Sequence, residues 1–143
     1  MKSNILDNIR ETQRAILIMA ERSAYLRATL YGRAIRYDTD KVQSSPADTI
    51  SDRLADVCDH DARIRKRQRK LDKQKTDVRR YLYRMPNTDY ARALDLFYLS
   101  LSDDGKLLTW ADVARVLGKD ESYIRKVTHY RAIDQFNNIL KNS

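Results

Sequence analysis

The sequence predicts an all-α protein, a long antiparallel helical hairpin of coiled-coil character followed by a small C-terminal helix-turn-helix domain. Three observations predict it. With only three Gly and two Pro in 143 residues, turns must be few. Ile50, Val57, Ile64, Leu71, Val78 and Met85 recur at an unbroken spacing of seven. The stretch Thr109 to Phe136 reads as two short helices split by a glycine turn, the second running on.

The first helix is expected from Ile5 to Leu30. Its positions Ile5, Ile9, Thr12, Ile16, Met19, Ser23, Leu26 and Leu30 alternate steps of four and three, as a coiled-coil seam does. Leu6, Leu17, Ala20, Ala24 and Tyr31 widen that stripe, which implies more than one neighbour. Asn4 is the expected cap and Gly32 the expected stop. A polar connection, Arg33 to Ser45, leads to Ser45-Pro46, a cap followed by the proline that suits a first helical position. Asp48 then faces the free amides of the first turn.

The second helix carries the seven-residue repeat. Leu54 and Leu82 fill the companion seam positions at its ends, whereas Asp61, Gln68 and Lys75 fill them between, so the hairpin should be loose or wet in its middle. From Pro46 to Met85 such a helix would span about 60 Å, and a helix so long needs the first one against it to stay folded. It also holds the densest charge. Between Arg63 and Arg80 lie ten Lys or Arg, namely Arg63, Arg65, Lys66, Arg67, Arg69, Lys70, Lys73, Lys75, Arg79 and Arg80, against Asp72 and Asp77. The whole chain carries 28 Lys and Arg against 20 Asp and Glu, a formal +8, so this segment alone accounts for the excess. A solvated coiled-coil exterior is the competing reading, but such exteriors mix the two signs. The segment therefore points to a polyanion or an acidic protein partner, with Arg63, Arg65, Lys66, Arg67, Arg69, Lys70 and Lys73 as phosphate-backbone contacts.

Pro86-Asn87-Thr88 breaks the helix, dividing the chain into residues 1–85, the two long helices, and 87–143, the domain with the helix-turn-helix pattern. Thr88 or Asn87 caps a helix from Asp89 to Leu101, whose Tyr90, Ala93, Leu94, Phe97, Tyr98 and Leu101 form an apolar face; SDDGK at Ser102 to Lys106 is a turn. Thr109 and Asp112 start the next helix. Ala111, Val113, Ala114, Val116 and Leu117 give it an apolar face, with Trp110 as a core anchor. Gly118 reverses the chain, Lys119 bridges, and Asp120 caps the helix that carries Ile124 and Val127 inward. Its outward residues, Glu121, Ser122, Arg125, Lys126 and His129, together with Lys119, are those a major groove would meet. Ile133, Phe136, Ile139 and Leu140 continue it back onto the Leu94 and Phe97 surface.

Nothing in the pattern suggests catalysis. There is no glycine-rich phosphate loop, no cysteine pair and no triad-like setting of Ser, His and Asp. His60 stands between Asp59 and Asp61, and neighbours one step apart on a helix point in different directions, so no metal site is expected there. No cofactor and no small-molecule ligand are expected either. The run AILIMA at Ala15 to Ala20 is too short to span a membrane or act as a signal, and Cys58 has no partner for an internal disulfide, which suits a reducing cytoplasm.

Residues 42 to 140 resemble the phage-encoded transcriptional regulators of the RinA/ArpU type, whose carboxy-terminal part is similar to region 4 of sigma factors. The resemblance lies in VQSSPADTISDRLADV at Val42 to Val57, the basic helix ending RRYLYRM, LDLFYLS at Leu94 to Ser100, and TWADVARVLGKDESYIRKV followed by RAI at Arg131 to Ile133. There the Trp lies in the first helix of the motif, as Trp110 does. Two departures stand out: the turn SLSDDGKLL is longer than the short glycine turn usual there, and one extra residue falls between Ile124 and Arg131. The resemblance implies a sequence-specific transcriptional regulator of the late-gene activator type in a bacterial host, with double-stranded DNA, RNA polymerase and a further copy of the chain as partners. Arg125 and Lys126 are the residues it places on DNA. A module that binds polymerase or another phage protein, and the DNA-recognition subunit of a packaging terminase, are the alternatives.

Overall fold

The structure, a computed structural model, describes residues 4–39 and 46–143, with side chains over 5–31 and 50–143. It is all-α: among the described residues the only strand-like feature is one antiparallel bridge between Leu101 and Leu107. In order come α1 (Asn4–Thr39), α2 (Pro46–Leu82), α3 (Thr88–Leu94), α4 (Trp110–Leu117), α5 (Glu121–Tyr123) and α6 (His129–Lys141). Wide π-type turns follow α3 at Asp95–Leu99 and α5 at Ile124–Thr128. The long helix pair is present, but α1 does not stop at Gly32; it runs to Thr39, the single glycine costing less than ending a helix otherwise made of tolerant residues. Pro46 opens α2. The expected Ser45 cap lies outside the described residues, and so does the side chain of Asp48.

The compact units do not divide at residue 86, as the break at proline led us to expect. One comprises residues 15–70 and the other residues 1–14 with 71–143.

In the 15–70 unit the two helices run antiparallel. Ser23 and Arg27 of α1 both donate to the Asp61 carboxylate of α2, while His60 Nε2 lies 3.0 Å from the Met19 carbonyl oxygen. Ile16, Ser23, Leu30 and Val57 are buried, as the seam requires. Leu54, expected in the seam, is 50% exposed.

In the other unit the beginning of α1 buries Leu6, Ile9 and Gln13. The companions of Ile9 are thus Leu6 and Gln13, whereas Ile5 is 45% exposed and Thr12 only half-buried. The reason is a second neighbour. Arg10 donates to the carbonyl oxygens of Phe97 and Leu108, the latter at 3.0 Å, and its guanidinium lies 3.8 Å from the Phe97 ring centre, which turns the buried face of α1 by one position. Leu71, Val78, Leu82 and Met85 are buried at their expected places on and after α2, and Lys75 is buried with its ammonium donating to the Gln13 carbonyl oxygen.

Asn87 caps α3, its side chain accepting from the amides of Asp89 and Tyr90. The Asp89-to-Leu101 helix is shorter than expected, because the wide turn ends it at Leu99 and Ser100 is extended. Ser102 to Lys106 is the expected turn, closed by the Ser102 amide on the Lys106 carbonyl at 2.7 Å with Gly105 at φ 76°. The core then gathers Ala93, Leu108, Val113, Ala114 and Ile124, with Leu96, Phe97, Trp110 and Leu117 packed against it. Val116 does not join its expected apolar face and is 53% exposed. α6 returns to α3, burying Ala132, Ile133 and Phe136.

Candidate nucleic-acid interface

The helix-turn-helix is built from local chemistry. Thr109 and Asp112 form a reciprocal capping box at the start of α4, and the Thr109 backbone amide holds the Asp112 carboxyl below its usual range. At the far end Gly118 adopts φ 67°, and the Lys119 amide donates to the Ala114 carbonyl at 2.9 Å. A side chain at Gly118 would meet open space, so the conformation rather than crowding demands glycine. Asp120 caps the next helix by accepting from the Tyr123 amide.

Beyond that cap, burial follows a period of four. Ile124, Thr128, Ala132 and Phe136 are buried, and Ser122, Lys126, Tyr130 and Asp134 are exposed. A regular α-helix repeats at 3.6 residues, so it drifts away from such a column; the π-type turn over Ile124–Thr128 takes in one more residue and restores the alignment. The extra residue noted between Ile124 and Arg131 in the sequence coincides with this segment.

The wide turn corrects one expectation. In a regular helix His129 would share the outward face of Arg125. Here the added residue rotates it inward, where its ring lies 4.5 Å from Trp110 and its Nε2 sits 2.8 Å from the Tyr98 hydroxyl. Burial lowers the pKa of His129, with Asp7 opposing, and raises that of Tyr98, with Asp7 reinforcing and Arg10 opposing. His129 is therefore half-buried against Trp110 and Tyr98, and the exposed aromatic beside it is Tyr130. Sequence reasoning missed Tyr130 because it assumed an unbroken helical period. The four-step spacing of Ile124, Thr128, Ala132 and Phe136 was the signal that could have found it.

The other expected contacts of the motif are exposed. Ser122 and Lys126 lie on the outward line, and Arg125 beside it has a guanidinium nitrogen 3.5 Å from Glu121. Lys119 pairs with Asp89 at 3.4 Å. Both pairs are exposed, and exposed pairs hold their partners weakly enough for a phosphate to compete.

In the 15–70 unit, Arg63, Arg65, Lys66, Arg67, Arg69 and Lys70 are all exposed. Arg63, Lys66, Arg67 and Lys70 follow the i, i+3, i+4, i+7 rule and so share one stripe of α2. Arg67 also lies 3.6 Å from the Met19 sulfur. An open cleft of about 470 Å³ next to this stripe is lined by Arg22, Arg53, Arg63 and His60 together with Asp56 and Asp59. Lys73, in the other unit, is exposed as well. Further along the run Lys75 is buried, and Arg79 pairs with Asp95 at 3.3 Å.

Among the described residues no group of three or more His, Cys, Asp or Glu is placed to hold a metal ion, and no helix is long and apolar enough to cross a membrane. The arrangement offers two cationic surfaces, one on each unit, each presented by a helix. No family model, curated protein or solved structure matches the chain.

Proposed function

We propose that the chain is a sequence-specific, double-stranded-DNA-binding transcriptional regulator, of phage or mobile-element origin as its resemblance to the RinA/ArpU type implies, and that it acts without catalysis. The helix beginning at Asp120 enters a major groove. There Arg125 and Lys126 take guanine edges or phosphates, and Glu121 accepts from cytosine or orients Arg125. The basic stripe of α2 adds phosphate contacts that raise affinity without choosing sequence. The observation that carries this reading is the bare line of Ser122 and Lys126, one turn past a fully capped glycine reversal.

Selection of bound fragments from random DNA tests it directly. An enriched sequence is expected, and Arg125→Ala with Lys126→Ala should abolish binding to it while leaving the salt-sensitive background largely intact. Neutralising Arg65, Lys66, Arg67, Arg69 and Lys70 should instead weaken all DNA about equally and reduce the salt slope by about one for each phosphate that is no longer neutralised.

A second reading, contact with RNA polymerase or another phage protein, draws on Ile18, Tyr25 and Leu54, apolar side chains exposed on the 15–70 unit. It replaces the first if neither set of substitutions alters DNA binding while a pull-down still recovers polymerase.

A further inference from the structure

Tyr130 is 63% exposed, yet it is not an isolated surface aromatic. Its ring lies 5.3 Å from that of His129, which lies 4.5 Å from Trp110, which stacks on Phe97 at 3.8 Å with the planes 7° apart. Arg10 closes the series over the far face of Phe97, and the Tyr98 hydroxyl fixes His129 from the side. A row of rings thus leads from the core to the surface and ends on Tyr130. A tyrosine has only two side-chain torsions to fix on contact, so an exposed ring in this position adds area to an interface at little entropic cost.

Its place along the helix narrows the partner. Ser122, Lys126 and Tyr130 form the outward line, about 12 Å from end to end at 1.5 Å per residue, comparable to the width of a major groove. Asp134, the next member, is an exposed carboxylate that phosphates would repel, so the line suited to DNA ends at Tyr130. Major-groove base edges present one apolar group, the 5-methyl of thymine, and a supported ring face is the complementary surface.

We propose that Tyr130 is a specificity-determining residue that reads a thymine through its 5-methyl group, one helical turn beyond the base or phosphate met by Lys126. The inference rests on the DNA-binding reading above and deepens it. In the full chain bound to its selected site, replacing one thymine by uracil, which removes only that methyl, should weaken binding about three- to tenfold. Tyr130→Ala should weaken the thymine site to a similar degree, erase the difference between thymine and uracil, and leave binding to non-specific DNA unchanged. Tyr130→Phe should keep the discrimination. Unchanged thermal unfolding of both variants separates contact from folding.

The inference is overturned if uracil at every thymine leaves the wild type unaffected, or if the loss is equal in Tyr130→Ala. It is also overturned if Tyr130→Phe alone reproduces the defect, since that would make the hydroxyl a phosphate donor. A selection that enriches no sequence removes the DNA-binding reading itself, whereas an enriched site with no methyl effect removes only the role of Tyr130.

Discussion

Among the described residues between 15 and 70, the buried positions mix apolar with polar side chains. Ile16, Leu30 and Val57 share the interior with Ser23, and the Asp61 carboxylate is held there by Ser23 and Arg27. In the unit of residues 1–14 and 71–143, Leu6, Leu71, Ala93, Leu94, Val113, Ile124, Ala132 and Phe136 are fully excluded from solvent. The first unit sets its register by directed polar contacts and spends its exterior on cations that repel one another; the second gains its stability from apolar burial. A helix pair that exposes a cationic stripe gives up part of its own stability to like-charge repulsion. A dry body can support an exposed polar helix face with little loss of stability.

The largest effect expected from this contrast is the loss of a central apolar side chain. Phe136→Ala removes a ring that is 0% exposed and should destabilise by about 3–5 kcal/mol. Ile16→Ala, in the helix pair, should fall at the low end of the ~2–5 kcal/mol range for such truncations, because the wetter surroundings relax around it. Urea unfolding followed by circular dichroism gives both values, and equal losses would break the contrast.

The same unit also buries a polar pair, Lys75 with Gln13. Burial lowers the Lys75 pKa, Arg79 adding to the fall while Asp72 and Asp95 oppose it. Because the pair is desolvated without a full counter-charge, Gln13→Leu with Lys75→Met should stabilise the protein by about 1–2 kcal/mol. Lys75→Met alone leaves the Gln13 carbonyl oxygen unpaired and should cost about 1–3 kcal/mol. If the double variant were the less stable of the two, the pair would have to be a stabilising element, and the division into wet and dry units would lose its meaning.

The parts of the structure set by a few adjacent residues were legible in the sequence. Thr109 with Asp112, Gly118, and Asp120 each satisfy free backbone groups at a helix end, and their geometry follows from residue type and spacing alone. The repeat of seven placed Val57, Leu71, Val78 and Met85 correctly for a similar reason. What was not legible depended on a third element. Ile5 and Leu6 are adjacent on the same stripe, and Leu6 is the buried one, on the stretch of α1 whose Arg10 reaches Phe97 and Leu108 and whose Gln13 meets Lys75. In the same way, the regular helical period put His129 on the outside. The π-type turn is legible only indirectly, in the four-step spacing of Ile124, Thr128, Ala132 and Phe136, all of which it brings to the buried side.

The inward turn of His129 leads to the smallest effect, a dependence of stability on pH confined to the dry unit. Burial holds the folded-state pKa of His129 below its ordinary 6.5, Asp7 opposing, so the unfolded chain takes up a proton at a higher pH than the native one does. Where the unfolded state binds more protons, stability rises with pH. The contribution is therefore complete above about pH 6.5 and is lost as the pH falls from there through the folded-state value, as His129 gains a charge between Trp110 and Tyr98. The Tyr98 hydroxyl, kept protonated by its own burial, shares a hydrogen bond with Nε2 of His129, and a charged ring has only donors to offer it. His129→Gln retains a polar partner for Tyr98 and cannot titrate, so its unfolding free energy in urea should change less between pH 7.5 and 5 than that of the wild type. Parallel profiles for the two proteins would mean that His129 titrates as it does in water, and the inward rotation produced by the wide turn would then be wrong.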